Sequence, residues 1–444
     1  MVSVLRDLTY WSTHTSTKTL SGIAHFSGTV QRTVGREIYT DTVLVLGAVQ
    51  FVEALAFFLP QSFYPMYITS LGATVASVGI FISAFTLASA VFSPVIGRLS
   101  DRVGRKRLIL WGLLGDVVFG VLTGLVPSWH WLLVVRLLNG ALSAAATLPT
   151  EALIIDSVPM ERRGETVGFT SACAMAGRWT GPVFGGSVQW LTSSLGLSLV
   201  NSYRVPYFVD SFLAAAAFVL VAWKVNDQST EVVERAGFQG KRGKMNFTTS
   251  MRAMMFFAFT YGGAIGLTMP LIALLYSDKF GVEPLAIGAI ISATGLIGLG
   301  ASWLAGRVSD SLGRKPVLAL GEGVGRLMGF ILPLMPSVNL TALCHLFRKT
   351  GFSVSRPATD ALKADVAPPE HRGEYFGYYQ TAYRIGDIIF PVVGTYLYAT
   401  LFTSRFGVIG FTIPGYAVPY LLSSSLGLTG LLAALVFVRS HKNA

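Results

Sequence analysis

Several ionisable side chains stand inside apolar runs that should exclude them. Glu53 interrupts the run 43–68, and Arg136 and Asn139 interrupt 130–156. Arg178, Arg348 and Asp387 lie inside similar runs at 166–192, 338–364 and 375–400. A charge deep in a bilayer is costly, and it typically marks a pathway or a proton relay. At a rise of about 1.5 Å per residue, Glu53 falls about 15 Å from one end of its run and Arg136 about 10 Å from the opposite end of its own. Their heights then differ by about 5 Å, close enough to pair as a titratable carboxylate and its cation. A carboxyl group keeps its proton more readily alone in an apolar cavity than beside an arginine. Making and breaking the pair would therefore couple protonation to conformation; a static buried ion pair is the plainer alternative. Asp116 has no obvious partner, whereas Glu322 and Arg326, four residues apart, can satisfy each other. His345, Lys349 and Arg356 add to Arg348 in making 338–364 unusually basic. No Cys/His spacing points to a metal, no nucleophile–base set points to an enzyme, and no cofactor is expected. The glycines of "GEGVGRLMG" at 321–329 sit inside an apolar run, where a phosphate loop has no place.

The elements that must hold these residues follow from composition. The 444 residues are 52% hydrophobic and 13% charged, with a mean hydropathy of +0.58. Soluble chains carry about 25% charged residues. Runs of about 20 apolar residues span a bilayer as helices, and twelve are predicted, at 43–68, 72–97, 107–127, 130–156, 166–192, 206–224, 250–276, 284–306, 315–335, 338–364, 375–400 and 409–438. Alternate loops collect the basic residues, among them Arg98, Arg102, Arg105, Lys106, Arg162, Arg163, Arg314 and Lys315. Basic loops stay cytoplasmic, so both termini are expected inside a multi-pass protein of the cell membrane. The net charge of +11 then reports topology rather than nucleic-acid binding. Cys173 and Cys344 fall inside predicted spans and imply no disulfide framework. The Ser/Thr-rich residues 1–40 have no long apolar core and read as a cytoplasmic tail, not a secretory signal; a weak interfacial helix and part of a transit sequence are the alternatives.

The chain repeats itself. "GRLSDRVGRK" at 97–106 returns as "GRVSDSLGRK" at 306–315, identical at seven of ten positions with a shift of 209. "TEALIIDSVPMERRGETVGF" at 150–169 aligns with "TDALKADVAPPEHRGEYFGY" at 359–378 at the same shift, and Arg178 takes the repeat position of Asp387. The expected organisation is a tail (1–40), a six-helix bundle (41–224), a cytoplasmic linker (225–249), a second six-helix bundle (250–438) and a short tail (439–444). Such duplication suits alternating access about a midplane site; easier assembly of a membrane scaffold is the alternative.

The decapeptide resembles the loop between helices 2 and 3 of the major facilitator superfamily, and it does so in both halves. The resemblance implies an all-α fold of twelve transmembrane helices in two pseudo-symmetric six-helix bundles around a cavity lined by helices 1 and 4. It also implies a cytoplasmic latch that breaks as the halves rock. The corresponding residues are Gly97, Asp101, Arg102, Gly104, Arg105 and Asp156 in one half. In the other they are Gly306, Asp310, Gly313, Arg314 and Asp365, with Ser311 replacing the basic residue at 102. Gly97 should allow another helix to pack closely, Gly104 should permit the turn, and Asp156 should partner Arg102 or Arg105.

"GFTSACAMAGRWTGPVFGG" at 168–186 resembles the helix-5 motif of the drug:proton antiporter branch. Gly168, Gly177, Gly181, Pro182, Gly185 and Gly186 match it, and "RLLNGALSAAA" at 136–146 resembles a helix-4 motif in which Asn139 stands where Gln is usual. Small residues on one face let membrane helices approach closely. With the Gly288, Ser292, Gly295, Gly298, Ser302 stripe of helix 8, this face is expected to seal the outer side. The implied function is secondary transport, most simply proton-coupled efflux of a small amphipathic compound by a monomer. Transport of an organic anion or anionic lipid-like metabolite, in either direction, is the alternative. A non-transporting receptor or scaffold is the alternative from another class.

Overall fold

The computed structural model describes residues 41–225, 245–408 and 411–438. The predicted tails 1–40 and 439–444 and most of the predicted linker lie outside the described residues. The first half comprises α1 (Asp41–Phe58), α2 (Tyr64–Ser70), α3 (Val78–Val103), α4 (Arg105–Leu125), α5 (Trp129–Asp156), α6 (Arg163–Ser194) and α7 (Leu199–Lys224). The second comprises α8 (Thr249–Thr268), α9 (Leu271–Phe280), α10 (Pro284–Leu312), α11 (Arg314–Ile331), α12 (Val338–Val366), α13 (Arg372–Leu401) and α14 (Val418–Phe437). The first and seventh spans are each broken in two. Pro60 sits in the short 3-10 turn that follows α1, and Pro270 directly precedes α9. Proline has no N–H to continue a helix, so both breaks fall where the sequence puts one.

Nine of the described helical segments are long and apolar enough to cross a membrane on composition alone. The long helices α6, α12 and α13 fall short of that standard. They carry Arg178, the basic run at 348–356, and Arg384 with Asp387. Their polarity is that of helices turned toward other helices rather than toward lipid. On the outward faces, Trp223, Phe212 and Val436 are 78%, 72% and 68% exposed, which suits hydrocarbon and not water.

Two predicted boundaries are corrected. The sixth span starts at Leu199 rather than 206, because Pro206 is accommodated inside α7. The twelfth starts at Val418 rather than 409, because a short antiparallel hairpin precedes it, β1 (Arg405–Val408) with β2 (Phe411–Pro414), Arg405 opposite Pro414.

The two bundles meet at the end away from the decapeptide loops, and they do so with two-fold pseudo-symmetry. A Cβ placed on Gly79 of α3 would lie 2.2 Å from the carbonyl oxygen of Pro391 in α13. One placed on Gly288 of α10, its repeat partner, would lie 2.2 Å from the carbonyl oxygen of Pro182 in α6. One turn on, Ser83 Oγ donates to the Ile388 carbonyl at 2.5 Å, and the Val183 amide donates to Ser292 Oγ at 3.1 Å. Thr395 Oγ1 completes the α3–α13 contact, donating to the Ala76 carbonyl at 3.0 Å and accepting from the Gly79 amide at 3.1 Å. At the loop end the bundles stand apart: added Cβ atoms at Gly97, Gly168, Gly306 and Gly377 would meet nothing within 4 Å.

Thr395→Val should therefore weaken only the closed end. Losing its hydrogen bonds costs about 1 kcal/mol, roughly fivefold in the opening equilibrium. The check is faster labelling, from the Thr395 side, of a cysteine introduced at cavity position Phe57 in a Cys173→Ser, Cys344→Ser background.

Candidate functional site

A cavity of about 420 Å³ opens between α1, α3, α4, α5, α7 and α13. Glu53 and Phe57 reach it from α1, Asp116 from α4, Arg136 and Asn139 from α5, and Tyr207 and Asp210 from α7. From the second half, α13 contributes Gln380, Tyr383, Arg384 and Asp387. Its ionisable lining is four carboxyl groups (Glu53, Asp116, Asp210, Asp387) against two guanidinium groups (Arg136, Arg384).

Glu53 and Arg136 share this cavity but do not pair; among the described residues no ion pair within 4 Å includes either. The Arg136 guanidinium lies over the Tyr64 ring, 4.5 Å from its centroid. The break after α1 swings Tyr64 into that position, and height along a helix says nothing about azimuth. Asp210 is the carboxylate in electrostatic reach of Arg136. Asp116, which looks partnerless in sequence, sits near both Glu53 and Asp210. Glu53 Oε1 is buried with no hydrogen-bond partner.

Arg178 and Arg348 are not on the cavity wall. Arg178 stacks behind it on the Phe58 ring, at 4.4 Å. Arg348 is 7% exposed and donates to Thr268 Oγ1 at 2.7 Å, inside the second half. Glu322 and Arg326 make their expected pair, at 2.8 Å and almost fully buried, and Ser355 Oγ donates to the same carboxylate at 2.9 Å. Asp210 and Arg384 have no place among the sequence-based candidates, although the rule that finds Glu53 applies equally to Asp210 in the run 206–224.

The loop residues form two matching sets. Arg105 pairs with Asp156 and donates to the Ala152 carbonyl at 2.8 Å. Arg314 pairs with Asp365 and donates to the Ala361 carbonyl at 3.3 Å. Lys106 and Lys315 each bond a carbonyl in the last turn of another helix, Ala222 and Leu435, at 3.0 and 2.9 Å, where a cation complements the helix dipole. Gly104 and Gly313 turn with φ of 96° and 92°. Each set lies within one bundle. The close helix approach expected at Gly97 is absent because the bundles are apart at this end, and Gly306 is equally open. Arg102 is exposed, and the side chains of Asp101 and Asp310 lie outside the described part of the structure.

The helix-5 glycines divide between two partners, which corrects the expected seal. Added Cβ atoms at Gly177, Gly181 and Gly185 would lie 2.1, 2.7 and 2.0 Å from carbonyl oxygens of Phe51, Leu55 and Leu59, all in the first span. Only Gly186 faces α10, 2.6 Å from the Pro284 carbonyl, and Gly168 meets nothing. The eighth span supplies the rest through Gly288, Ser292 and Gly295, the last against the Trp179 ring.

Two helical bundles of one pattern, closed at one end over a polar cavity and parted at the other, have the layout that alternating access requires. Sequence comparison specifies the family: residues 46–344 and 254–444 match the Major Facilitator Superfamily model, and the chain belongs to that superfamily. It is 25% identical over 372 residues to the multi-drug resistance efflux pump PmrA of Streptococcus pneumoniae, covering 80% of this chain and 89% of that protein. It is 27% identical over 362 residues to multidrug resistance protein 2 of Bacillus subtilis, covering 78% and 86%. Among solved structures, a bacterial homolog of the human lysosomal transporter Spinster, in an inward-facing and occupied conformation, superposes with a TM-score of 0.69. The identity there is 14%, over 89% of this chain and 94% of that one, so the likeness is one of fold. The protein is thus a multi-pass secondary transporter.

Proposed function

We propose that the protein is a proton-coupled exporter of small amphipathic compounds, working by antiport in the cell membrane with both termini cytoplasmic. The observation that carries the reading is the cavity. Its four carboxyl groups outnumber its two cations, and they lie beside Phe57, Phe58, Phe85 and Tyr207. Half-buried carboxyl groups without ion pairs take up and release protons, and aromatic walls hold apolar bodies. The efflux pumps among the relatives support the direction of transport. In this reading the parted loop end is the cytoplasmic mouth, and the Arg105–Asp156 and Arg314–Asp365 sets brace the loops that close it. The Gly79–Pro391 and Gly288–Pro182 contacts are the outer seal. The test is a proteoliposome carrying a pH dye. A candidate amphiphile moving down its gradient should drive protons the other way, and no pH change with any transported compound would sink antiport.

A further inference from the structure

Behind Phe58 and Tyr383, both on the cavity wall, lies a cluster of cations that the cavity itself does not use. Arg178 stands on α6 of the first half and Lys349 on α12 of the second. The Arg178 guanidinium and the Lys349 ammonium each lie 5.3 Å from the centroid of the Trp179 ring. Arg356 and Arg348 are near enough to add their repulsion. Among the described residues no carboxylate comes within 4 Å of Arg178, Arg348, Lys349 or Arg356. The acid nearest in kind, Glu322, is already consumed by Arg326 and Ser355. Two donors of the cluster, Arg178 Nε and the indole Nε1 of Trp179, are buried with no hydrogen-bond partner. His345, one turn before Lys349, is 1% exposed with neither ring nitrogen bonded. The indole is held from behind, since an added Cβ at Gly295 would lie 2.0 Å from it.

Buried donors normally find acceptors, and gathered like charges normally find a counter-ion. Arg178, Trp179 and Lys349 bring several donors together, two of the three side chains charged, and none of the three has a hydrogen-bond acceptor among the described residues. We infer that Arg178, Trp179 and Lys349 form an oxyanion subsite that takes a carboxylate or phosphate group. Arg178 offers a planar fork of N–H groups, Lys349 a point charge and Trp179 a single neutral donor, a mixture suited to a tetrahedral or planar oxyanion. The subsite lies next to the cavity, separated from it by the Phe58 ring that the Arg178 guanidinium covers at 4.4 Å. One side of the subsite belongs to each bundle, and its occupant would be gripped only while the two helices keep this spacing. The proposal rests on the transport reading for the compound's identity, naming its class as amphiphiles with an acidic head; the site itself follows from the donors alone.

The experiment measures thermal stabilisation of the purified full chain in neutral detergent by octyl phosphate, octanol, octyltrimethylammonium and inorganic phosphate. No pH gradient is present, so a failure of proton coupling leaves the result untouched. Octyl phosphate should stabilise the protein and octanol should not. Arg178→Gln and Lys349→Gln should each weaken octyl phosphate binding by about tenfold, as a lost charge-assisted contact does. Arg178→Lys should retain most of the affinity, and this variant keeps the test open should Arg178→Gln not fold. Competition by inorganic phosphate would show that a free oxyanion suffices, and its absence that the head must belong to an amphiphile. Octyl phosphate stabilising no more than octanol, or equally well in a folded Arg178→Gln, Lys349→Gln double variant, would overturn the subsite.

Discussion

Glu53→Gln should reduce proton-driven transport to the level of protein-free liposomes while leaving substrate binding and substrate–substrate exchange nearly intact. Glutamine matches the protonated acid in shape but cannot release a proton. Glu53 lines the cavity, and one of its oxygens is buried with no donor, so the substitution removes no ion pair and breaks no bond to that atom. The damage should therefore be chemical rather than structural, with the melting temperature unchanged. Asp116→Asn and Asp210→Asn are the controls. Asp210 is in electrostatic reach of Arg136, so its loss leaves a cation less compensated and should disturb binding as well as coupling. Arg136→Ala should act through Asp210 and Tyr64, with Glu53 indifferent to it, because the guanidinium rests on the Tyr64 ring. The measurement is dye-reported proton movement during counterflow and during gradient-driven transport. If Glu53→Gln protein still exchanges protons for substrate, coupling resides at another carboxyl group of the cavity, Asp116, Asp210 or Asp387.

What the sequence makes legible here is set by how far each physical rule reaches along the chain. Hydropathy locates the spans because a bilayer imposes one length on every crossing helix. The 209-residue shift locates both loop sets, since Arg105–Asp156 and Arg314–Asp365 are local geometry written twice. Glu322 with Arg326 is legible because four residues on one helix are always neighbours. Contacts between helices are a different matter. The depth of Glu53 and Arg136 can be counted, but not the direction in which each points, and Tyr64 takes the place assigned to the carboxylate. The helix-5 glycines announce a close approach without naming the partner, which for Gly177, Gly181 and Gly185 is α1 and the turn that follows it rather than α10. The α3–α13 half of the inter-bundle contact carries no motif of its own. It becomes visible only by applying the repeat to the contact itself, through Gly79 with Pro391 and Gly288 with Pro182.

That division of the glycines separates two substitutions that look alike. Gly185→Leu and Gly288→Leu both put a branched side chain where the added Cβ would already lie 2.0 or 2.2 Å from a carbonyl oxygen. Ordinary contact is about 3.5–4.0 Å, so either helix pair must part by more than 1 Å. Gly185 packs against the end of the first span inside one bundle, and that contact belongs to the bundle in whatever way the halves are arranged. Its replacement should lower the stability of every conformation, by about 1–3 kcal/mol or more for overpacking, and be seen as reduced yield and a lower melting temperature. Gly288 packs against the other bundle, and its contact exists only while that end is closed. Its replacement should leave the melting temperature close to that of the parent and bias the closed end open instead. At about 1.4 kcal/mol per factor of ten, an overpacking cost of about 1–3 kcal/mol shifts that equilibrium roughly fivefold to somewhat over a hundredfold. Spin labels at Thr74 and Thr403, beside α3 and α13 at the closed end, read the opening as a longer distance. Turnover should fall in the Gly288→Leu protein although it folds, because one end no longer shuts. Equal losses of melting temperature in both variants, with no change in the label distance for Gly288→Leu, would mean that the contact between bundles is as permanent as the one within them.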